Sequence, residues 1–362
     1  MNDRENSLGL FGAFERHNFG DWLMAYCAVQ LLKPIDCAWL YDFEDFGMGV
    51  NPMVGNFAKL NYFLTQTKEP CVFHVGGETL ACSSEVAAEM SSQSNNREFD
   101  RLLHYVLPEK FGSKPIKRFF FGVGGIGIPS LDSAQRKHLA DSLNSAMWVS
   151  VREPLTQSNL AKIGVEAKLT PDLVHVISRF LPIDNQSFTG GTKLVLQISE
   201  AILNSHLNAT AEMLVENFSD FDSITLVIAG TAPGHDSLMA YLNLQGVVNR
   251  IRPNWINISF DIDPLNIVKE IASADLVVAS SLHFRIVAMS YGVPRISVFV
   301  EKSINYGKYW DLNDFSAQNY SKIGEAISKI RRVESEQFND LALLRTKEVI
   351  DNWSKMMEVY ER

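Results

Sequence analysis

The sequence predicts an α/β protein of two domains, each a doubly wound parallel sheet, facing each other across a cleft. Three observations carry this. Apolar runs of strand length alternate with segments of helix length, the pattern of parallel sheets covered on both faces. Turns rich in glycine or polar residues follow those runs repeatedly. The alternation breaks at RFLPIDNQSFTGGT, Arg179 to Thr192, which is polar with a proline and a glycine pair, and then restarts. The expected domains are 1–180 and 193–332, with 333–362 a C-terminal helix packing back on the first domain.

Taken in order, Leu8 to Phe14 is the first strand and Trp22 to Leu32 an apolar helix closed by Pro34, joined by RHNFGD. Strand, glycine-bearing turn and helix make the first half of a βαβ unit. Cys37 to Phe43 is the next strand and Phe46 to Gly55 a glycine-rich loop. Cys71 to Val75 is a strand running into Gly76-Gly77-Glu78-Thr79. Ser83 to Leu107 reads as mostly helical, with SSQSNN an exposed break. Lys117 to Val123, KRFFFGV, is a strand running into Gly124-Gly125-Ile126-Gly127, followed by a helix over Ser133 to Ala146. Trp148 to Val151 leads to Arg152-Glu153-Pro154, then a helix over Leu155 to Ile163 stopped by Gly164. Lys168 to Thr170 leads to Pro171-Asp172.

In the second half, strands are expected at Leu194 to Ile198, Ile224 to Ala229 and Ile256 to Phe260, with helices at Ala209 to Phe218 and Asp236 to Leu244. Asp263-Pro264 supplies an N-cap and first turn for a helix to Ser273. Leu276-Val277-Val278 is a buried strand, and Ser280 and Ser281 precede a helix from Leu282 to Tyr291 ended by Gly292 and Pro294. Ile296 to Val300 begins another strand, Ile304 to Asp314 is a loop, and helices follow at Ser316 to Arg332 and Glu334 to Tyr360.

Composition narrows the class. Of 362 residues, 46% are hydrophobic and 21% charged, which is the make-up of a globular protein with ample core. A net charge of −9 without a basic run argues against nucleic acid as a partner. Cys27, Cys37, Cys71 and Cys82 form no CxxC pair and read as buried free thiols, which suits a reducing compartment. No signal peptide or membrane span is expected, so the location is read as cytoplasmic, with contact at the inner face of the membrane left open. No metal-ligand spacing is present.

The polar turns at strand carboxyl ends are the candidate site, because open parallel sheets bind ligands there. They carry His17, Asn18, Gly20 and Asp21; Gly76, Gly77 and Thr79; Gly124, Gly125 and Gly127; Arg152; Asp172; Gly230; and His283. His283 begins a helix whose unpaired N–H groups favour an anion. Each has a plainer reading: Arg152 pairing with Glu153 or another carboxylate, Asp172 capping a turn, Asp21 capping the helix from Trp22, His283 a satisfied structural histidine. The glycine turns match neither GxGxxG nor a P-loop, so neither NAD nor ATP is expected.

In order and spacing these segments resemble the polysaccharide pyruvyl transferase family. NFGD (Asn18 to Asp21), GGETL (Gly76 to Leu80), VSVREPLTQSNLAKIGVEAKLTPDLV (Val149 to Val174) and ADLVVASSLHFRIVAMSYGVPRISV (Ala274 to Val298) carry the resemblance. Two positions depart from it: Ser281 stands where an arginine often precedes the Leu-His pair, and Glu78 where a third glycine is common.

The resemblance implies two Rossmann-like domains in a GT-B-like arrangement, the first on the acceptor side and the second on the donor side. It implies phosphoenolpyruvate as donor, no cofactor, and a saccharide acceptor in a cell-surface polysaccharide or its lipid-linked precursor, ketalised on two hydroxyls. His283 is then the general acid, with Asp21 and Asp172 candidates for orienting or deprotonating hydroxyls. Arg152 is expected to give the donor a forked grip, and Ser281 and Arg285 to help hold it. Asn18, Gly20, Gly76, Gly77, Thr79, Gly124 and Gly125 are expected to line the site. Rival readings are a nucleotide-sugar glycosyltransferase or epimerase of similar fold and a non-catalytic scaffold. Tyr306, Tyr309 and Trp310 are open between stacking on a sugar and packing. The oligomeric state is left open.

Overall fold

The computed structural model describes residues 8–14, 18–41, 56–90, 102–183, 192–232 and 235–362. Contacts divide the chain into two units, one of 1–173 with 347–362 and the other of 174–346. The first unit contains β1 (Leu8–Phe11), α1 (Phe19–Leu32), β2 (Cys37–Tyr41), β3 (Asn56–Lys59), α2 (Leu60–Gln66), β4 (Cys71–Val75) and α3 (Ser84–Met90). A short ribbon of β5 (Lys110–Phe111) and β6 (Lys114–Pro115) precedes β7 (Lys117–Val123), α4 (Ser133–Asn144), β8 (Trp148–Val151), α5 (Pro154–Ala161) and β9 (Lys168–Leu169). Among the described residues the sheet runs β3-β2-β1-β4-β7-β8-β9, every pair parallel. The strand order therefore reverses between β1 and β4, the place where such sheets take ligands.

Sequence sets these elements locally. In β7 only Lys117 is exposed, as expected of a strand covered on both faces. Asp132 and Gln135 form a reciprocal capping box on α4. Residues 347–362 belong to this unit through aromatic packing: Trp353 meets Phe121 edge-on at 5.0 Å and Tyr360 meets Phe73 at 5.6 Å.

The second unit contains α6 (Ile177–Phe180), β10 (Lys193–Gln197), α7 (Glu200–Phe218), β11 (Ser223–Val227), α8 (Leu238–Val248), β12 (Ile256–Ser259), α9 (Pro264–Ala272) and β13 (Leu276–Ala279). Then come α10 (Leu282–Ser290), β14 (Arg295–Val298), α11 (Glu301–Trp310), β15 (Ser316–Ala317), α12 (Ile323–Ile330) and α13 (Ser335–Tyr360), of which the portion to Thr346 belongs here. Its parallel sheet runs β12-β11-β10-β13-β14-β15, reversing between β10 and β13.

Several expectations are corrected. Asn18 caps α1 by accepting from Gly20 N–H at 3.0 Å, so the helix starts before Trp22 and Asp21 lies in its first turn. Within 83–107 only Ser84–Met90 is helical, and residues 102–107 are irregular. Residues 179–180 end α6 and are not linker. α7 starts at Glu200, well before Ala209. The span 304–314 is helical to Trp310, and the helix expected over 316–332 is divided into β15 and α12. The expectations for His17, for 46–55, for SSQSNN and for 184–191 lie outside the described residues. The four cysteines are free, and burial pushes the thiols of Cys37 and Cys71 up to about 11 and about 12.

α11 forms because its glycine is a seat. Arg285 reaches from α10 into the core, donating to Ser297 Oγ at 2.6 Å and to Asp311 Oδ2 at 2.7 Å. Arg295 holds the same Asp311 carboxylate. Burial opposes ionisation of Asp311, but Arg295 and Arg285 outweigh it and hold its pKa below the ordinary carboxylate range. A Cβ at Gly307 would fall 2.1 Å from Arg285 Cζ. Alanine in a helix gains about 1 kcal/mol over glycine. Overpacking costs about 1–3 kcal/mol, and disturbing a buried charge pair adds about 3–5 kcal/mol. Gly307→Ala should therefore lower the thermal unfolding midpoint by several degrees, where helix propensity alone would raise it.

Candidate functional site

In the first unit the turns after β4, β7 and β8 and the segment after β9 converge on one guanidinium. Arg152 has no exposed surface. Its Nε donates to Glu153 Oε1 at 2.7 Å and its Nη1 to Asp172 Oδ2 at 2.8 Å. Burial works against the charged form, but the carboxylates of Glu153, Asp172 and Glu78 outweigh it and the pKa is raised. Glu153 passes the constraint on: its Oε2 accepts from Thr156 Oγ1 at 2.9 Å, and Thr156 Oγ1 accepts from Gly125 N–H at 3.1 Å.

The glycine turns are wired to one another. Gly77 N–H donates to Asp21 Oδ1 at 3.3 Å, and Gly124 N–H to the Gly77 carbonyl at 2.7 Å. Gly127 N–H donates to Glu78 Oε1 at 3.2 Å, and Thr79 N–H to the Gly77 carbonyl at 3.0 Å. A side-chain carbon at Gly124 would stand 2.7 Å from Glu78 Oε2 and 3.0 Å from Arg152 Nη2. Gly76 has φ of +152°, which only glycine adopts readily. Glycine is thus needed for close packing of the turns.

This corrects several sequence expectations. The N–H groups of Gly77, Gly124 and Gly125 are held by acceptors of the unit itself, so these glycines do not form an anion cradle through those donors. Two arms of the Arg152 fork already hold carboxylates, so the bidentate grip on a donor is replaced by a positioning role. Asp172, with no exposed surface and its carboxylate on Arg152, has a positioning role too. Asn18 and Gly20 make the α1 cap, and Thr79 is buried within its turn. Of the sequence candidates, Asp21, Gly76, Gly77, Thr79, Gly124, Gly125, Arg152 and Asp172 do come together. Glu153 and Thr156 were missed; a Glu directly after a strand-end Arg, with Thr on the next helical turn, was the available signal.

The second unit builds a different site at its own strand reversal. Gln197, the last residue of β10, accepts through Oε1 from Ser281 N–H at 2.7 Å and from Ser280 Oγ at 3.1 Å. Its Nε2 donates to Asp236 Oδ1 at 2.7 Å, while Asp236 Oδ2 accepts from Ala229 N–H at 2.6 Å. One amide therefore ties the turns after β10, β11 and β13. Ser281 is the N-cap residue of α10, and its hydroxyl makes no cap bond. His283 follows in the first turn and is 7% exposed. Arg285, expected to hold substrate, is instead the core cation on Asp311. Tyr306 is buried with its OH 2.9 Å from His175 Nε2, and Trp310 is buried, so both pack; Tyr309 is half exposed. Gln197 was missed by sequence reasoning, although an amide closing the apolar run KLVL is a visible signal.

Among the described residues no group of three or more His, Cys, Asp or Glu side chains could hold a metal ion. No described helix is long and apolar enough to cross a membrane.

The sequence profile described as polysaccharide pyruvyl transferase matches residues 18–299. No curated protein matches the chain. In fold, the chain is similar to the UDP-GlcNAc 2-epimerase of Neisseria meningitidis bound to UDP-GlcNAc, with TM-score 0.60 and 11% identity over 98% of this chain and 99% of that one. The corresponding epimerase of Rickettsia bellii gives 0.60 and 12% over 99% and 97%. Anabaena Alr3699/HepE in complex with UDP gives 0.55 and 10% over 98% and 99%. At such identities the likeness shows the fold, which is GT-B-like.

Two expected outcomes follow from the geometry. Arg152→Lys keeps the charge but cannot span both carboxylates. It strands one of them in a buried place, so unfolding free energy should drop by about 3–5 kcal/mol in a denaturant titration. Asp236 is raised from 3.8 to about 7 by burial, which outweighs the Ala229 and Gln197 hydrogen bonds. The folded chain therefore holds a proton that the unfolded chain releases between those values, and this group's contribution to stability falls as pH rises from 3.8 to about 7. The stability of wild type relative to Asp236→Asn should decline across that window and level off above it, measured by denaturant unfolding at stepped pH.

Proposed function

The chain belongs to the polysaccharide pyruvyl transferase family, and on that premise we propose that it moves the pyruvyl group of phosphoenolpyruvate onto two hydroxyls of a saccharide. The methylene of the donor takes a proton and becomes methyl. Two C–O bonds form from the sugar to the former enol carbon, and the C–O bond to phosphate breaks. Of the two hydroxyl protons released, one balances the proton taken by carbon and the other leaves with phosphate. The saccharide belongs to a cell-surface polysaccharide or its lipid-linked precursor.

One observation supports this reading beyond the family: His283 lies in the first turn of α10, beside the strand reversal of the second unit. A helix amino end favours the dianionic donor. An imidazolium there is suited to protonate carbon, and a bound anion would keep it charged near neutral pH. Ser281, with its hydroxyl outside the cap, is assigned to the donor phosphate or carboxylate. The first unit serves the acceptor. Around Arg152 stand Asp21, Glu78, Glu153 and Asp172, four carboxylates to one guanidinium, a charge balance that suits hydroxyl donors better than an anion. Asp21, in contact with the Gly77 turn, keeps the orienting role given to it by the resemblance.

The test is release of inorganic phosphate from phosphoenolpyruvate in the presence of sugar acceptors, which no UDP-sugar should replace. His283→Ala should lower kcat by about 10²–10⁴-fold with circular dichroism unchanged. Retained turnover would remove the imidazole from the reaction.

A further inference from the structure

The proposed reaction leaves open which carboxylate touches the acceptor, and the first unit offers an answer outside the sequence-derived roles. Of the charged groups around Arg152, four are sealed: Asp21 is 2% exposed, Glu153 2%, and Arg152 and Asp172 0%. Glu78 differs. It is partly exposed, while Gly76, Gly77 and Thr79 around it are buried. Its turn follows β4, at the strand reversal where a ligand enters a sheet of this kind.

The carboxylate is held in place. Oε1 accepts from Gly127 N–H at 3.2 Å, which fixes the side chain over the second glycine turn. Oε2 lies against the α-carbon of Gly124, 2.7 Å from where a Cβ would stand, and that same point is 3.0 Å from Arg152 Nη2. The guanidinium is already matched by Glu153 and Asp172 at 2.7 and 2.8 Å. Glu78 therefore contributes negative charge in excess of what Arg152 balances, at the one accessible point of the cluster. An anchored, partly exposed carboxylate with surplus charge is suited to accept a hydrogen from a hydroxyl and then its proton.

Resting on the reaction proposed above, we infer that Glu78 is the residue that contacts an acceptor hydroxyl and acts as its general base. The hydroxyl oxygen attacks the former enol carbon as its O–H proton passes to Glu78, and Glu78 returns that proton to the departing phosphate. Asp21 acts one step back, as a positioning residue that fixes Gly77 and so aims the Glu78 turn.

The experiment compares wild type, Glu78→Gln and Asp21→Asn in phosphate release from phosphoenolpyruvate, with p-nitrophenyl hexopyranosides bearing free 4- and 6-hydroxyls as acceptors. Glutamine keeps an oxygen for Gly127 N–H, so the unfolding midpoint should match wild type. Its kcat should fall by about 10²–10⁴-fold, the KM for phosphoenolpyruvate should hold, and the acidic limb of the pH–rate profile should vanish. Asp21→Asn should lower the rate while keeping that limb. If wild type turns over and Glu78→Gln stays within threefold of it, or if Asp21→Asn alone abolishes the limb, the role of Glu78 is overturned and the reaction stands. If wild type releases no phosphate with any of these acceptors, the reaction and the role of Glu78 fall together.

Discussion

A buried guanidinium cannot stand alone. Removing Arg152 from water costs several kcal/mol unless carboxylates meet it with good geometry, and this one requirement organises the site of the first unit. Glu153 and Asp172 meet it from the residue next in sequence and from the segment after β9. Glu153 then draws in Thr156, and Thr156 fixes the turn after β7 through Gly125. The spacing of these turns follows from satisfying one charge.

The second unit solves the same topological problem with a neutral group. Its sheet reverses in the same way, between β10 and β13, but the turns are tied by the amide of Gln197. An amide both donates and accepts, so it can bridge a carboxyl group on one side and an N–H on the other without importing a charge. Its own cations are placed in the core: Arg285 and Arg295 share Asp311 beneath α10 and beside α11. The first unit thus gathers negative charge at its strand ends. The second keeps its strand-end turn free of buried guanidinium, beside a helix amino end and an imidazole. That asymmetry suits a hydroxyl-bearing substrate on one side and an anionic one on the other.

Much of the fold was legible because it depends on local pattern. Apolar runs at KRFFFGV and LVVA can only be strands covered on both faces, and the Asp263-Pro264 start of α9 is written in its residues. The misreadings share a cause. α11 contains a glycine, two asparagine-like turn signals nearby and few apolar residues, so its sequence reads as loop; it is helical because Gly307 receives Arg285. Residues 316–332 were read as one helix, but Ser316 and Ala317 pair with β14, which no local preference announces.

The sequence by itself determined the alternation of strands and helices, the family, and the set of polar turns that gather at strand ends, since all of these are carried by residue order and short-range periodicity. Tertiary structure decided what each polar side chain does within its turn. Arg152 and Arg285 look alike in sequence, each one or two positions past a strand-end motif. One became the hub of a carboxylate cluster and the other a core cation on Asp311, because a buried charge takes its role from partners that lie far away along the chain.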